Sequence, residues 1–201
     1  MKPKIHLVVG ARPNFIKANP VYNSLNQLNK FDLTLVNTGQ HYDQNMSDVF
    51  IQELNMKKPD INLEVGSGLH GQQTGKILEL YEKVLIREKP DMIIVFGDVN
   101  STIACALAAA KLAIPISHVE SGLRSFDWNM PEEINRVLTD KLSKLLFTTS
   151  PEAKDNLINE GISEKNIHFV GNTMIDSLIE FQHKFNKSNI RKDLDIQDEY
   201  A

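Results

Sequence analysis

Three acidic residues stand where a strand pattern ends or a helix pattern begins. They are Asp98 within GDVNST, Glu120 within HVESGLR and Glu132 within PEEINR. Loops at the carboxyl ends of parallel strands carry the ligand sites of open sheets, so we expect the three carboxylates to converge there. Acidic groups crowded in a crevice repel one another and lose hydration, and such a cluster can hold a proton at neutral pH. The pattern therefore predicts a proton-transfer enzyme.

Each of these acids also has a structural explanation. Asn100 is suited to cap the helix that follows, but Asp98 lies before the expected helix start. An ion pair with Arg124 would account for Glu120. Interaction with the positive end of a helix dipole would account for Glu132. The residues alone leave these alternatives open.

Two cations follow the first strand, in GARPNFIK. Gly10 permits a tight turn, and Pro13 is suited to the first turn of a helix. Arg12 and Lys17 would then lie beside the helix N-terminus, where a diphosphate is favourably bound. Two solvated cations on a first helical turn would explain the same residues equally well.

Further polar residues follow the second strand, in NTGQHYD. Gln40 and His41 offer hydrogen bonds to a sugar or a base. A loop whose side chains satisfy only its own backbone is an equally good explanation. Later in the chain, Arg136 is spaced to lie on the same side of a helix start as Glu132, which makes it a candidate for contacting a substrate.

Composition and charge exclude several classes of protein. The chain has 201 residues, 41% of them hydrophobic, which suffices for one domain, or for one domain and the start of another. The net charge of −4 argues against broad binding to nucleic acid, which requires a basic face. No apolar run reaches the roughly 20 residues of a membrane-spanning helix.

The N-terminal sequence MKPKIHLVVG runs into a strand pattern without a signal-peptide cleavage region, which predicts a cytoplasmic protein. The single cysteine, Cys105, lies in an apolar run and is expected to be a buried thiol. The sequence lacks zinc-ligand spacing, a Walker loop and the GxGxxG pattern of nicotinamide and flavin sites. We therefore expect neither a cofactor nor a metal ion.

Short β-branched runs alternate with longer amphipathic segments. The predicted strands are 5–10, 32–39, 92–98, 114–120, 145–150 and 167–172. The predicted helices are 15–28, 45–55, 69–88, 101–112, 132–143, 152–160 and 173–185. Repeated strand–helix–strand units predict an α/β fold with a doubly wound, Rossmann-like parallel sheet. The charged stretch 186–201 lacks this rhythm and is typical of a linker or a cut end.

Taken together, GARPNFIK, NTGQHYD, GDVNST, HVESGLRSFDWNMPEEINR and GNTMIDSL resemble motifs of the non-hydrolysing UDP-N-acetylglucosamine 2-epimerase family. The likeness runs from about residue 4 to residue 180, in the order of the family. It implies one half of a two-domain architecture similar to the GT-B glycosyltransferases. Residues 1–172 would form the N-terminal Rossmann-like domain, and residues 173–201 a helix and linker leading to a C-terminal domain.

The resemblance also implies an activity. Members of the family interconvert UDP-GlcNAc and UDP-ManNAc for surface polysaccharide synthesis, by eliminating UDP and adding it back to 2-acetamidoglucal. Asp98, Glu120 and Glu132 match the acidic residues of the family, and Arg12 and Lys17 match its basic pair near the diphosphate. The division of acid and base roles stays open, because coupled carboxylates share protons.

The resemblance leaves the substrate open. Many members have GTRPE.IK where this chain has GARPNFIK, and relatives that act on modified UDP-sugars share the pattern. A hydrolysing 2-epimerase and a non-catalytic, isolated Rossmann domain are the alternatives. Because the second domain of the family supplies most contacts to uridine, the 201 residues alone are expected to have little or no activity.

The resemblance has two further implications. The family commonly forms dimers through its first domain, which implies a homodimer here. Some members bind a second UDP-GlcNAc as an activator near the TGQH loop. Gln40, His41 and Gln73 match parts of that region, whereas Tyr42 and Gln72 do not clearly match.

Overall fold

The computed structural model describes residues 1–39, 51, 56–185 and 189–194 of the chain. Within these residues the strands are β1 (Lys4–Val9), β2 (Asp32–Asn37), β3 (Ile61–Asn62), β4 (Met92–Phe96), β5 (Ile116–Ser121), β6 (Leu145–Thr148) and β7 (Ile167–Phe169). They form one sheet in the order β3-β2-β1-β4-β5-β6-β7. Every neighbouring pair is parallel, which confirms the predicted doubly wound α/β sheet.

Helices connect most of the strands. They are α1 (Arg12–Leu28), α2 (His70–Glu88), α3 (Asn100–Lys111), α4 (Pro131–Leu142), α5 (Pro151–Asn159), α6 (Thr173–Phe185) and the short α7 (Ile190–Asp193), with a 3-10 turn at Glu164–Asn166. Helix α6 packs on α1, where the Ser177 hydroxyl donates a hydrogen bond to the Ile16 carbonyl oxygen at 2.8 Å. No helix of the described residues is long and apolar enough to cross a membrane.

The central strands are buried on both faces. On one face, Val8 and Val95 lie in a core cluster with residues of α2 and α3, including the predicted buried thiol Cys105. On the other face, Leu7 and Ile94 pack with residues of α1. Alternate residues therefore enter different cores, which explains why these strands read as continuous apolar runs in the sequence.

Most predicted elements are present within a few residues of their predicted bounds. Strand β3 was not predicted, because two residues with only one partly buried apolar side chain give no usable pattern. Of the predicted helix 45–55, only residue 51 is among those described. The predicted linker stretch contains the one-turn helix α7.

The ends of the later helices follow the expected chemistry. Ser150 caps α5 by accepting a hydrogen bond from the Ala153 backbone N–H at 3.3 Å. Gly161, just after that helix, has a φ of 82°, as a C-terminal glycine stop requires. The Asn172 side chain accepts a hydrogen bond from the Met174 N–H at 2.9 Å, at the start of α6.

One titratable side chain is buried in the core away from the acids. His6 on β1 is fully buried, and its Nδ1 lies 3.3 Å from the hydroxyl of Tyr81 on α2. Burial lowers the pKa of His6 from 6.5 to about 4, because desolvation disfavours the charged imidazolium. The core therefore holds this histidine in its neutral form.

Candidate active site

The strand order reverses beside β1, and this leaves a crevice at the carboxyl ends of β1 and β4. Asn14, on the first turn of α1, joins the two sides of the crevice. Its Nδ2 donates to the Phe96 carbonyl oxygen at 2.8 Å, and its Oδ1 accepts from the Ala11 N–H at 3.0 Å. Asn14 is 2% exposed, so this link is built into the fold.

Lys17 and Glu120 form an ion pair in this crevice. The Nζ of Lys17 contacts Oε2 of Glu120, and the side chains are 10% and 19% exposed. Gly97 makes room for the pair, since a Cβ at that position would lie 3.0 Å from the lysine nitrogen and 3.9 Å from the glutamate oxygen. The next residue is Asp98, so the Glu120 carboxylate lies close to the backbone that leads into another of the predicted acids.

Glu120 has an unusual backbone. Its φ is 71°, in the left-handed region that non-glycine residues rarely adopt. The pairing of β5 with β6 shifts register between Val119 and Ser121, so Glu120 is the extra residue of a bulge. Such a conformation costs about 1–2 kcal/mol. A β-bulge re-aims the side chain it carries, and here that side chain is the carboxylate that meets Lys17.

Two residues of α4 contact Asp98. Arg136 Nη2 contacts Asp98 Oδ2 at 2.6 Å, and the Asn135 amide donates to the Asp98 backbone carbonyl oxygen at 2.8 Å. Glu132 lies three and four residues before these partners, on the same side of the helix, and is half-buried. The structure therefore brings Asp98, Glu132 and Arg136 to the same edge of the sheet.

The neighbouring acid Glu133 has a different environment. It is 1% exposed, and its carboxylate accepts hydrogen bonds from the Ser125 N–H at 2.9 Å and the Phe126 N–H at 3.0 Å. Burial acts to raise the pKa of Glu133, but these backbone bonds and Arg136 outweigh it and lower the pKa. Glu133 thus anchors the loop before α4 as a carboxylate.

Three other predicted binding residues are placed less directly. Arg12 is the first residue of α1 and is exposed. It is separated from Lys17 by about 140° around the helix axis, so the two cations of GARPNFIK do not occupy one side of the helix. Gln40 and His41 lie outside the described residues.

The expected alternative for Glu120, an ion pair with Arg124, is wrong. Arg124 instead contacts Asp140 at 2.8 Å and Glu160 at 2.6 Å, and its side chain is 1% exposed. Burial acts to lower the pKa of Arg124, but the contacts with Glu160 and Asp140 outweigh it and raise the pKa. Asp140 was not singled out from the sequence, although it lies seven residues after Glu133, on the same buried face of α4.

The expected capping role of Asn100 is also wrong. Asn100 is the first residue of α3, and the residue before it caps the helix without a side-chain bond. The Asn100 amide donates to Gln73 Oε1 at 2.9 Å and receives a longer bond from Asn135 at 3.3 Å. Gln73 in turn donates to the Gly66 carbonyl oxygen at 2.9 Å. A polar chain therefore runs from the Asp98 region to α2.

Two acidic side chains of the crevice are paired with cations and do not form an unbalanced acidic cluster. Glu120 has Lys17 as its partner, and Asp98 has Arg136. Paired in this way, the two carboxylates can lie close together without the repulsion expected of an unbalanced cluster. Carboxylates beside cations at a sheet edge suit a reaction that moves a proton next to a departing anion.

The chain is similar in sequence to known proteins. A family model described as UDP-N-acetylglucosamine 2-epimerase matches residues 23–201. The UDP-N-acetylglucosamine 2-epimerase of Methanococcus maripaludis is 52% identical over 177 residues, which are 88% of this chain and 48% of that protein. The UDP-2,3-diacetamido-2,3-dideoxy-D-glucuronate 2-epimerase of Pseudomonas aeruginosa is 48% identical over 183 residues, which are 90% of this chain and 52% of that protein.

A solved structure is similarly close. The UDP-GlcNAc 2-epimerase of Methanocaldococcus jannaschii, in complex with UDP-GlcNAc and UDP, superposes with a TM-score of 0.90 at 48% identity. The match covers 95% of this chain and 52% of that one. The chain spans about half the length of the curated relatives it matches. By its sequence and its fold, the chain belongs to the UDP-N-acetylglucosamine 2-epimerase family.

Proposed function

We propose that this chain carries the acid and base residues of an enzyme that interconverts UDP-GlcNAc and UDP-ManNAc, and that a second domain completes the active site. The observation that carries the proposal is the crevice at the carboxyl ends of β1 and β4, where Glu120 pairs with Lys17 beside Gly97, and Asp98, the next residue, pairs with Arg136. The relatives and the bound UDP-GlcNAc of the Methanocaldococcus structure support the substrate class.

The first half of the reaction removes a proton and a leaving group. The C2 hydrogen of the sugar is not acidic by itself, but positive charge develops at C1 as the bond to the diphosphate oxygen lengthens. A carboxylate takes the C2 proton, the electron pair of that bond forms the C1–C2 double bond, and UDP leaves with the electron pair of the C1–O bond. The products are 2-acetamidoglucal and UDP, with the proton on the enzyme.

The second half returns both groups with inverted geometry at C2. A proton is delivered to the face of C2 opposite to the one that lost it, and a diphosphate oxygen of UDP adds to C1. Inversion therefore needs acid or base groups on both faces of the ring. We assign this task to Asp98, just after β4, Glu120 on β5 and Glu132 on α4.

The cations have a matching role. Arg12 and Lys17 would stabilise the charge that grows on the diphosphate as UDP leaves. We assign Arg136, Gln40 and His41 to substrate binding, with Arg136 also holding Asp98. A crevice with one wall cannot hold the free intermediate away from water, so the second domain is part of the proposal.

The test joins this chain to the second half of the Methanococcus maripaludis relative in one polypeptide. We expect this protein to convert UDP-GlcNAc to UDP-ManNAc in deuterated water, with deuterium at C2 of the product, as NMR would show. The 201-residue chain alone serves as the control and should give little or no turnover. A folded, joined protein without turnover would overturn the proposal, and product without deuterium at C2 would overturn the proton-transfer mechanism.

A modified sugar is the second candidate substrate, because the Pseudomonas relative is nearly as similar as the Methanococcus one. Supplying both UDP-sugars at equal concentration to the joined protein would rank them by kcat/KM. Release of free UDP in step with ManNAc would instead show the hydrolysing reaction. Turnover of either kind would exclude a non-catalytic Rossmann domain.

The remaining expectations are part of the same proposal. We expect a cytoplasmic enzyme that forms a homodimer through this domain, which light scattering would detect. Helix α3 contributes mainly to the core, since Ile103, Ala104 and Cys105 are among its buried residues. Activation by a second UDP-GlcNAc stays a prediction, since Gln40 and His41 lie outside the described residues.

A further inference from the structure

A buried ionic chain lies directly behind the two paired acids. It consists of His118 on β5, Asp140 on α4 and Arg124 in the loop between them, with Glu160 at its outer end. The side chains of His118 and Asp140 are fully buried, and that of Arg124 is 1% exposed. None of these residues belongs to the set assigned to proton transfer, and burying them requires that each charge be matched.

Asp140 holds both sides of the bulge that carries Glu120. Its Oδ1 lies 2.7 Å from Nδ1 of His118, two residues before Glu120. Its Oδ2 accepts a hydrogen bond from the Gly122 N–H at 3.1 Å, two residues after Glu120. One carboxylate therefore spans the left-handed residue, and a strained backbone of this kind persists only where the surroundings enforce it.

His118 extends the same clamp to Asp98. Its Nε2 lies 2.8 Å from the carbonyl oxygen of Gly97, the residue that precedes Asp98. A carbonyl oxygen only accepts hydrogen bonds, so Nε2 carries a proton. The imidazole thus links the residue after β4 to β5. Asp98 is the next residue after Gly97, and Glu120 is two residues after His118.

Asp140 has further partners on its second oxygen, which contacts the guanidinium of Arg124 at 2.8 Å and accepts the hydrogen bond from the Gly122 N–H. Arg124 also contacts Glu160 at 2.6 Å, and Lys141, at the exposed rim, contacts Glu160 at 3.8 Å. The buried carboxylate is therefore matched by a buried guanidinium, as a buried ionic network requires.

We propose that His118 and Asp140 form a positioning pair that sets the direction of both Asp98 and Glu120. The pair touches no substrate and acts through the Gly97 carbonyl and the Glu120 bulge. Its catalytic consequence rests on the proposed function, whereas its geometry does not.

The first test uses the chain itself. In the 15N-labelled protein, Nε2 of His118 should show the NMR shift of a protonated nitrogen, because it donates to the Gly97 carbonyl oxygen. An unprotonated Nε2 would overturn the link from His118 to Gly97. Asp140→Asn should move the amide signals of Asp98 and Glu120, and the control Asp155→Asn, at an exposed position of α5, should leave them in place. Unmoved signals in folded Asp140→Asn would refute the positioning role.

The second test uses two replacements of His118 in the joined protein. His118→Gln keeps a donor near Nε2 for the Gly97 carbonyl, and His118→Asn keeps a donor near Nδ1 for Asp140. Because Gly97 leads to Asp98, we expect His118→Asn to lose about tenfold to hundredfold in kcat with KM within twofold, and His118→Gln to retain more activity. An unchanged kcat in both variants, or losses in KM alone, would contradict positioning.

The proposed function and the positioning pair are tested independently of each other. If the unsubstituted joined protein has no epimerase activity, the proposed function is wrong, and the NMR result on the chain still decides the positioning pair. If the joined protein is active and the NMR signals of Asp98 and Glu120 ignore Asp140, the function stands and the positioning pair does not.

Discussion

The ion pair between Lys17 and Glu120 should be strongly coupled in the folded chain. The perturbation is a double-mutant cycle of Lys17→Met, Glu120→Gln and the two together. Each single change removes one partner of a pair that is mostly out of water, with side-chain exposures of 10% and 19%. The cycle isolates the interaction between the two side chains from their separate contributions to the free energy of unfolding.

The burial of the pair sets the magnitude. An exposed pair at i,i+4 contributes about 0.3–0.5 kcal/mol. Removing one partner of a fully buried pair costs about 3–5 kcal/mol. Lys17 and Glu120 lie between these limits, so we expect a coupling energy of about 2 kcal/mol.

Urea unfolding monitored by circular dichroism measures this coupling. Lys83 and Glu79 provide the matched control, because they also form an ion pair, at 2.6 Å, but are 65% and 64% exposed. Their coupling should stay below about 0.5 kcal/mol. Raising NaCl from about 0.1 M to about 1 M should remove the control coupling and leave most of the buried one, since salt screens exposed charges more effectively.

A contrary result is easily recognised. If the Lys17–Glu120 coupling is no larger than that of the exposed pair, the two side chains do not meet in a desolvated crevice. Loss of the coupling in high salt would have the same meaning. Either outcome would refute the reasoning that places Glu120 against a cation at this edge of the sheet.

Three further predictions concern the fold around the site, and urea unfolding tests each of them. His6 has a folded pKa of about 4 against 6.5 when unfolded, so the unfolded chain binds more protons between these values. The free energy of unfolding should therefore fall by about 3 kcal/mol as the pH drops from 7 to 4, and His6→Gln should lack this contribution to the pH dependence. The same pH dependence in His6→Gln as in the unsubstituted chain would contradict a neutral core histidine. Glu133→Gln should lower the free energy of unfolding by about 1–3 kcal/mol, because one carboxylate oxygen that accepts backbone hydrogen bonds is replaced by a donor NH2 group. Glu132→Gln should change it by less than about 0.5 kcal/mol. Equal losses would show that the two acids share one environment. Gly122→Ala should lower the free energy of unfolding by more than about 3 kcal/mol, since its Cβ would come 2.2 Å from a backbone oxygen of α5. Gly161→Ala, with a similar φ but open space around the Cβ, should lower it by only about 1–2 kcal/mol. Similar losses would mean that the neighbouring backbone moves to accommodate the Cβ at position 122.

The location of the site could be predicted from the sequence, because it depends on local patterns. Strands buried on both faces read as apolar runs, and Asp98 follows such a run directly. Glu120 ends another run, and Pro131 marks the start of the helix with Glu132. Once the sheet is parallel, the carboxyl ends of its strands share one edge, so the sequence predicts that these acids lie at that edge.

The choice of partners could not be predicted in the same way. Arg124 is close to Glu120 in sequence, but the bulge directs Glu120 to Lys17 of α1, and Arg124 enters the space between α4 and α5. Left-handed backbone at a glutamate has no sequence signature, since only tertiary contacts enforce it. The clamp by Asp140 was missed for a related reason, because an acid on the buried face of a helix is explained only by its distant partners.

The central claim is that Asp98, Glu120 and Glu132 move the C2 proton of a nucleotide-activated sugar. The most direct measurement is the rate of deuterium incorporation at C2 by the joined protein bearing Asp98→Asn, Glu120→Gln or Glu132→Gln, with Asp155→Asn as the control. We predict a loss of roughly 10²-fold or more for each of the three and an unchanged rate for the control. Deuterium incorporation at the unsubstituted rate in all three variants would contradict the account.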